Sequence, residues 1–600
     1  MSVRDSQPAV VPPVPGPAAN RPWLWLLPAL AAVLVYLPSL PGEFIWNDPD
    51  YVTKPELATL AGLGRIWTEL GATEQYYPLL HSFFWIQQKV FHYDPLGYHG
   101  VNVLLHAACA ALLALVVARL FASGDRRVGG SEDRKSEPQI LGSSDPRSAA
   151  NAIALLAGLI FAVHPVYVES VAWISEQKNT FSLFWYLLAG LVYLRWQAAD
   201  GRVGSTSRPY LWWKSPGYWL ATFFFLLAIL SKSVTATLPC ALMVVAWWRT
   251  GRLERGTWGP LLPWVLFGLL AGAVTGWVEH HFIGARGDDF ALNLLERGLL
   301  AGRVIWFYLG KYAWPADLIF IYPRWTVDAG VWWQWLYPVA AVGLLGALWQ
   351  IRGRTRGPLA GYLIFVGSLV PTLGFFNVYA FKFSYVADHW NYLPSLALAV
   401  VAAWGTVTLA ERVGGRAGSS SQPYFRIASA ALLLLLAALS ARQTRGYQNL
   451  EIFYQTILRR NPDCWLAAHN LGGLRLDTGR YAEAVPYYEQ ALRVRPQLTE
   501  ALNNLGGVLQ RLGRREEAIA RFQEALRWAP NDPDFHRNLG GALASVGRFD
   551  EAVLRLRRAV ELKPTDADLH RLLAQALFEA GRPAEAAVER AEFDRLQGRR

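Results

Sequence analysis

Between Trp23 and Gln443 the chain returns repeatedly to long apolar runs, and no other feature restricts its fold so strongly. In a bilayer, every backbone N–H and C=O must be satisfied inside the segment that crosses, so runs of this kind become helices. A hydrocarbon core of about 30 Å takes roughly 20 helical residues. Runs near that size lie at Trp23–Leu40 and near 97–120, 150–168, 179–197, 217–231, 234–249, 260–279, 332–350, 358–376, 391–410 and 427–443, which makes eleven expected spans. Leu-Pro-Gly-Glu follows the first run where a signal peptide would show an Ala-x-Ala cleavage site, so that run reads as a retained span. Residues 1–22, rich in Pro, Ala and Val, read as a flexible leader.

Only 17% of the 600 residues are charged, against about a quarter in soluble domains. The mean hydropathy of +0.18 is nevertheless too low for a chain that is membranous throughout. Residues 1–445 carry 34 basic against 25 acidic side chains, whereas 446–600 are nearly balanced at 23 against 21. A nucleic-acid binder gathers its basic residues into one patch with aromatics between them. Here the excess lies in short loops at 119–149, 195–216, 249–256, 351–357 and 411–426. Placing the N-terminus in the cytoplasm puts all five loops on the cytoplasmic side, as membrane insertion favours. The half-apolar stretch Leu292–Trp314 then reads as an interfacial or re-entrant helix in an outer loop, 280–331. Counted as a span, it would move the RGRTRG loop outside. The three cysteines (Cys109, Cys240, Cys464) are too few for a disulfide framework.

From Trp465 the sequence repeats every 34 residues. Leu471-Gly472, Leu505-Gly506 and Leu539-Gly540 correspond, with Leu573-Ala574 as a fourth copy, and Ala484, Ala518, Ala552 and Ala586 keep the same spacing. Pro496, Pro530 and Pro564 close the second helix of each pair. This is the tetratricopeptide pattern, in which small residues let paired helices approach and the pairs stack into a solenoid. Pro462 falls one period earlier, so 450–461 reads as a lone second helix whose partner is an extension of the last membrane helix. The expected architecture is all-α: a leader (1–22), a polytopic membrane bundle (23–445) and a tetratricopeptide α-solenoid (446–600). With eleven spans the solenoid lies on the outer face of the cytoplasmic membrane, where its concave side suits a polypeptide partner.

Ionisable groups at membrane depth are costly and are functional candidates. Here they gather at the outer ends of the spans. After the first span comes Trp46-Asn47-Asp48-Pro49-Asp50. In an extended strand Asp48 and Asp50 point the same way, and a carboxylate there suits a general base; a turn built on Asn and Asp is the plainer alternative. His99, Asn102 and His106 share one helical face, fit for substrate, a metal or interhelical hydrogen bonds. His164-Pro165 opens a stretch in which Glu169, Trp173 and Glu176 line one face if it is helical, with Lys178 beyond. Lys382 and His389 in KFSYVADHWNY suit an anionic phosphate as point charges. Lys232 and Arg324 are further cations, for which snorkelling to the interface is the simple explanation. The sequence has no Walker loop, GxGxxG, GxSxG or HExxH motif, which argues against a cytoplasmic nucleotide site.

Several of these stretches occur in a telling order: WNDPDYV, YYPL at 76–79, GYHGVNVLLH at 97–106, HPVYVESVAW at 164–173, WFYLGK at 306–311, IYPRW at 321–325 and VADHWNYL at 386–393, followed by the repeats. Together they resemble the transmembrane and tetratricopeptide-repeat O-mannosyltransferases of the GT-C superfamily, in a bacterial relative. The resemblance implies a glycosyltransferase that moves a sugar, mannose above others, from a polyprenyl-phosphate carrier to Ser/Thr hydroxyls of exported proteins, with the repeats holding the acceptor. It implies an essential acid at Asp48. Asn47 stands where relatives commonly show a second acid, which leaves Asp48 and Asp50 both open as the base. Glu169 would then orient hydroxyls, while Lys178, Lys232, Arg324, Lys382, Asp388 and His389 would hold the donor phosphate and sugar. His99, Asn102, His106 and His164 would support the acceptor or the inner residues. The lipid-linked sugar is a substrate, no cofactor or metal is implied, and the two histidines at 99 and 106 leave a divalent ion open. Two other readings stand beside this one: transfer from the same carrier to lipid or glycan, and a catalytically silent membrane-anchored scaffold for envelope proteins.

Overall fold

A computed structural model of the protein describes residues 23–52, 54–122, 146–199, 212–417 and 422–598. The expected leader, much of the basic loops 119–149 and 195–216, and 418–421 of the loop 411–426 lie outside the described residues. All regular structure among the described residues is helical. A helix occupies each of the eleven apolar runs. Among the described residues, four helices are long and apolar enough to cross a membrane by themselves: Pro95–Phe121, Arg255–Ile283, Ser395–Val413 and Tyr424–Tyr447. A fifth crossing arises if Arg147–Val163 and Pro165–Ala172, bent by 55°, form one broken span. Trp25–Ser39, Pro216–Ser231 and Gly357–Thr372 are shorter apolar helices. Leu266, Leu269, Leu270, Val339, Val342 and Leu434 all face outward, an apolar belt far larger than a water-facing surface carries.

The stretch at 292–314 forms one helix, Leu294–Ala313. Asn293 caps it, taking a hydrogen bond from the Glu296 backbone while the Glu296 carboxylate accepts from Asn293 N–H. Leu299, Leu300, Val304, Ile305 and Tyr308 are buried along one side, and Trp306 donates to the Tyr337 carbonyl at the start of the next helix. It is not among the helices apolar enough to cross.

The structure decides two local alternatives, the first in favour of the turn. Residues 46–51 are not extended, because Asp48–Val52 is a short helix. Side chains two apart on a helix diverge, so Asp48 is fully buried while Asp50 is exposed. The stretch after His164 is not one helix either. A 3-10 turn (Pro165–Tyr167) and a short helix (Val168–Ala172) end at Trp173, which is extended at φ −99°, ψ 121°. A second 3-10 turn, Ile174–Glu176, leads into the helix Gln177–Ala199.

The helix Gln422–Gln443 does not run on into the solenoid. It gives way to a 3-10 turn at Thr444–Tyr447, and Asn449 caps a fresh helix, Leu450–Arg460. Four helix pairs follow: Trp465–Asp477 with Tyr481–Val494, Thr499–Arg511 with Arg515–Trp528, Pro533–Ser545 with Phe549–Leu562, and Ala567–Glu579 with Pro583–Gln597. The turn within each pair places Gly479, Gly513, Gly547 or Gly581 at φ between +73° and +79°, a conformation only glycine adopts without strain. Gly506 faces Phe522 so closely that a Cβ would lie 2.6 Å from the ring. The pair Arg475–Glu451, at 2.6 Å and buried only on its arginine side, fastens the Leu450–Arg460 helix to the first repeat.

Candidate active site

The polar site assembles at one end of the bundle, where four chain segments meet. Glu176 is its centre. Its carboxylate is wholly buried, 2.7 Å from Lys178 Nζ and 3.6 Å from Lys232 Nζ, and it accepts from Asn179 Nδ2 at 2.7 Å. Lys232 ends the helix Pro216–Ser231 and also donates to Asn179 Oδ1 at 2.5 Å. Across the site His389 Nδ1 lies 2.6 Å from Glu169 Oε1, and its Nε2 is 3.7 Å from Glu176. Asn179 reaches over to the His389 carbonyl, at 3.0 Å. Two acids, two ammonium groups and an imidazole thus share one buried cluster, drawn from residues 220 positions apart.

Their electrostatics follow from burial and mutual charge. Burial raises the Glu176 carboxyl, but His389, Lys178 and Lys232 outweigh it and hold the group down at about 2. Burial lowers Lys232 to about 8 against the pull of Glu176. It also lowers His389 to about 3, so the ring is neutral near pH 7. His389 Nδ1 and Glu169 Oε1 share one proton across their 2.6 Å contact, the tautomer of the ring deciding which of them donates it.

Asp48 lies directly behind this pocket. Its Oδ1 accepts from Ser175 N at 2.7 Å and from Ser175 Oγ at 2.6 Å, and its Oδ2 accepts from Ile45 N at 2.9 Å. Burial pushes its carboxyl up to about 7 in spite of these donors. The hydrogen bonds to Ser175 explain why the chain turns at Trp173 and presents Glu176 inward. Lys178 caps the arrangement, its ammonium standing 5.1 Å from the Tyr51 ring and 5.7 Å from that of Trp173.

Asp388, one residue before His389, is also buried and is raised by burial to about 7. It accepts from Tyr322 Oη at 2.7 Å and feels the charges of Lys311 and Arg460. Arg324, two residues beyond Tyr322, turns away to Asp289 (2.9 Å) and to Tyr385 Oη. Lys382 stands over the Tyr379 ring, 5.9 Å from its centre, apart from the groups gathered round Glu176. The residues at 99, 102 and 106 do share a helix face, and all three are buried. Asn102 donates to the carbonyls of Ser170 and Val171 and accepts from Thr180 Oγ1. His106 bonds Tyr392 Oη at 2.8 Å, and His99 packs on Gly42. His164 stacks on Tyr312 and caps the turn after it. Asn102, His106 and His164 hold the loops that carry Glu169 and His389, and His99 lies against the loop that leads to Asp48. Among the described residues no three His, Cys, Asp or Glu side chains are grouped to hold a metal.

The solenoid reaches the same place. Trp46 packs on Phe320, Phe453 and Tyr454, with ring centres 5.2, 6.3 and 6.3 Å apart. Arg460 donates to the Leu318 carbonyl and Asn461 to that of Ile321.

Tetratricopeptide-repeat family models match residues 463–527, 497–565 and 543–589. Protein O-mannosyl-transferase TMTC4 of Mus musculus is 28% identical over 218 residues, 34% of this chain and 26% of its own length. The Homo sapiens TMTC4 is 28% identical over 198 residues (31% and 25%), and Xenopus laevis tmtc2 is 27% identical over 206 (33% and 21%). The chain is similar to the transmembrane and tetratricopeptide-repeat O-mannosyltransferases. It spans about a quarter of the length of these relatives. Among solved structures, a MamA crystal structure is 19% identical over 25% of this chain and 81% of its own, with a TM-score of 0.24. MamA 41-end from Desulfovibrio magneticus RS-1 gives 19%, 27%, 88% and 0.24.

Sequence reasoning missed Ser175, Asn179, Tyr322, Lys311 and Arg460 as members of the site. Tyr322 and Lys311 lie inside the motifs IYPRW and WFYLGK; in the first, Arg324 is the more conspicuous group. Arg460 lies in the segment assigned to the solenoid, and no local pattern signals that it comes back to Asp388.

Proposed function

We propose that the protein is an integral-membrane glycosyltransferase that moves a sugar, mannose above others, from a polyprenyl-phosphate carrier to Ser/Thr hydroxyls of exported proteins. The observation that carries this reading is the buried pocket of Glu169, Glu176, Lys178, Lys232 and His389, backed by Asp48 and touched by the solenoid. Asp48 is the base. Its carboxyl, raised to about 7, is matched to proton transfer at neutral pH, and Ser175 Oγ already occupies the place of an acceptor hydroxyl, 2.6 Å from Oδ1. When the loop carrying Ser175 gives way, an acceptor hydroxyl takes that place and passes its proton to Asp48. The oxygen then attacks the anomeric carbon, and the bond to the phosphate oxygen breaks with its electron pair on the leaving lipid phosphate. Lys178 and Lys232 neutralise that charge in a water-poor pocket, where fixed cations act most strongly. Glu169 and His389 orient sugar hydroxyls. Asp50, exposed to solvent, takes no part.

On this reading residues 23–445 form the transferase domain in the cytoplasmic membrane. Residues 446–600, on the outer side, hold the acceptor polypeptide and raise its local concentration. The test is transfer of radiolabelled mannose from polyprenyl phosphate mannose to envelope proteins by the purified chain and its Asp48→Asn and Asp50→Ala variants. Loss in the first alone supports the assignment. The complete burial of Asp48 favours a second reading, the silent scaffold, which gains if wild type transfers nothing from mannose or a panel of other carrier-linked sugars.

A further inference from the structure

A cleft of about 460 Å³ opens between the helices Pro95–Ala122, Gln177–Ala199, Leu238–Thr250, Gly357–Leu369 and Ser395–Ala417. Leu113, Leu187, Leu242, Val245, Ile364 and Val400 make its walls apolar. It runs from Leu238 to Trp248 along one helix, about 15 Å at 1.5 Å per residue, or half the thickness of a hydrocarbon core. The inner end lies towards the polar pocket, since Leu238 follows Lys232 and Leu393 follows His389 by a turn or so. The mouth is at the opposite end of the bundle and is formed by Arg352, Gly353, Arg354, Thr355, Arg356 and Gly357.

The mouth is cationic and unneutralised. Arg352 stands over the Trp349 ring, 4.0 Å from its centre, and Arg354 is exposed. Arg356 packs on the turn at Gly251, where a Cβ would lie 2.6 Å from its Nη2. Among the described residues none of the three is paired with a carboxylate. An apolar slot one leaflet deep, rimmed by unpaired arginines and by Trp248 and Trp404, matches a molecule with a long apolar chain and an anionic head.

We infer that this cleft holds one chain of an anionic glycerophospholipid from the leaflet on the arginine side, with its phosphate on the Arg352–Arg356 loop. The site is separate from the proposed donor site, which lies at the other end of the bundle. The inference therefore does not depend on the transferase reading, only on the chain being in a membrane. A lipid here lies against the packed Gly357–Leu369 and Leu238–Thr250 helices and acts as a structural element of the bundle.

The test is native mass spectrometry of the purified full chain offered phosphatidylglycerol, phosphatidylcholine or polyprenyl phosphate in detergent. Wild type should retain one phosphatidylglycerol in preference to phosphatidylcholine. Each arginine near a headgroup contributes about a fivefold preference, so Arg354→Ala with Arg356→Ala should lower it about 25-fold. Gly190→Leu should exclude either lipid, because a Cβ there has only Leu238 within contact, at 3.8 Å, and the longer side chain enters the cleft. Ala241→Phe should do the same from the facing helix, so one misfolded variant does not spoil the test. Equal retention of the two phospholipids, or wild-type binding by both the arginine and the cleft-filling variants, overturns the inference. Polyprenyl phosphate displacing phosphatidylglycerol also overturns it and assigns the cleft to the carrier lipid.

Discussion

Asp48→Asn separates the roles that a buried carboxyl can play. In the wild type both oxygens are occupied: Oδ1 by Ser175 N–H and O–H, Oδ2 by Ile45 N–H. Asparagine keeps one acceptor oxygen. Placed at the Ser175 side, it turns its amide donors on Ile45 N–H and leaves one buried donor unpaired, which costs about 1–3 kcal/mol. The carboxylate has its own cost, because burial lifts its pKa from 3.8 to about 7. At 1.36 kcal/mol per unit, the folded wild type loses roughly 4 kcal/mol as this group ionises. A folded pKa above the unfolded one means that the folded state binds more protons between the two values. Wild-type stability from this group therefore falls as pH rises from about 4 to about 7 and is flat above. Asparagine does not titrate, so the variant should be the less stable protein at pH 4 and the more stable one at pH 8. Thermal unfolding in detergent across that range, followed by tryptophan fluorescence, should show the two midpoints crossing.

Transfer should follow the same group. A base must be deprotonated, so wild-type activity should rise with pH to a plateau above about 7, while Asp48→Asn falls 10²–10⁴-fold, as is typical for loss of a general base. Asp388 is raised to the same value, so the limb belongs to Asp48 only if Asp388→Asn retains it. Midpoints that do not cross, a variant active to within about threefold of wild type, or a limb that persists in Asp48→Asn would each refute the reasoning.

Glu176→Gln removes the anion between Lys178 and Lys232 and should cost about 3–5 kcal/mol, read as a lowered unfolding midpoint, because two buried cations lose their partner. Phe453→Ala, at a buried ring packed on Trp46, should cost about 3–5 kcal/mol and lower transfer; hydrogen exchange should locate the loosening at 44–48 and 318–321 and leave the last three repeats protected. In the solenoid, Gly506→Ala drives a Cβ to 2.6 Å from Phe522 and should destabilise by about 1–3 kcal/mol in urea unfolding. Its neighbour Gly507→Ala meets open space and should gain up to about 1 kcal/mol. Asp50→Asn, exposed and clear of the pocket, should change stability by less than about 0.5 kcal/mol and leave transfer unchanged.

What could be read in the sequence was whatever is decided locally. The solenoid is legible because each repeat carries its own determinants: Gly506 exists for Phe522 sixteen residues on, and Gly513 for the turn it sits in. The apolar runs are legible because helix formation in lipid is dictated by the run itself. The pocket is legible only in part. Glu169, Lys178, Lys232 and His389 stand out as charges where charges are costly, but nothing local says that His389 meets Glu169 across 220 residues. The error at Asp48 and Asp50 is instructive. Alternation presupposes an extended segment, and the segment is helical because Asp48 takes the amides at its own turn and at Ser175. The choice of Arg324 over Tyr322 fails for a related reason: a cation near an acid is expected to seek it, yet Asp289 was nearer to hand.

One residue ties the bundle, the pocket and the solenoid together. Trp46 sits at φ +52°, a conformation that costs a bulky side chain of order 1–3 kcal/mol and persists only where its surroundings over-determine it. The surroundings are visible. Ile45 and Asp48 close the turn from both sides, Asp48 N–H donating to the Ile45 carbonyl at 3.0 Å and Ile45 N–H to Asp48 Oδ2. The left-handed residue between them reverses the chain, sending Asp48 in towards Ser175 and the indole out onto Phe320 and Phe453. Glycine would adopt that backbone freely, but it would give the Leu450–Arg460 helix nothing to rest on. A tryptophan held in strain is therefore explained by two demands on one turn: it must aim a carboxylate into the membrane end of the bundle and seat the first helix of the solenoid on the opposite side. Trp46 is thus a direct packing contact between the Leu450–Arg460 helix and the turn that carries Asp48, two residues away.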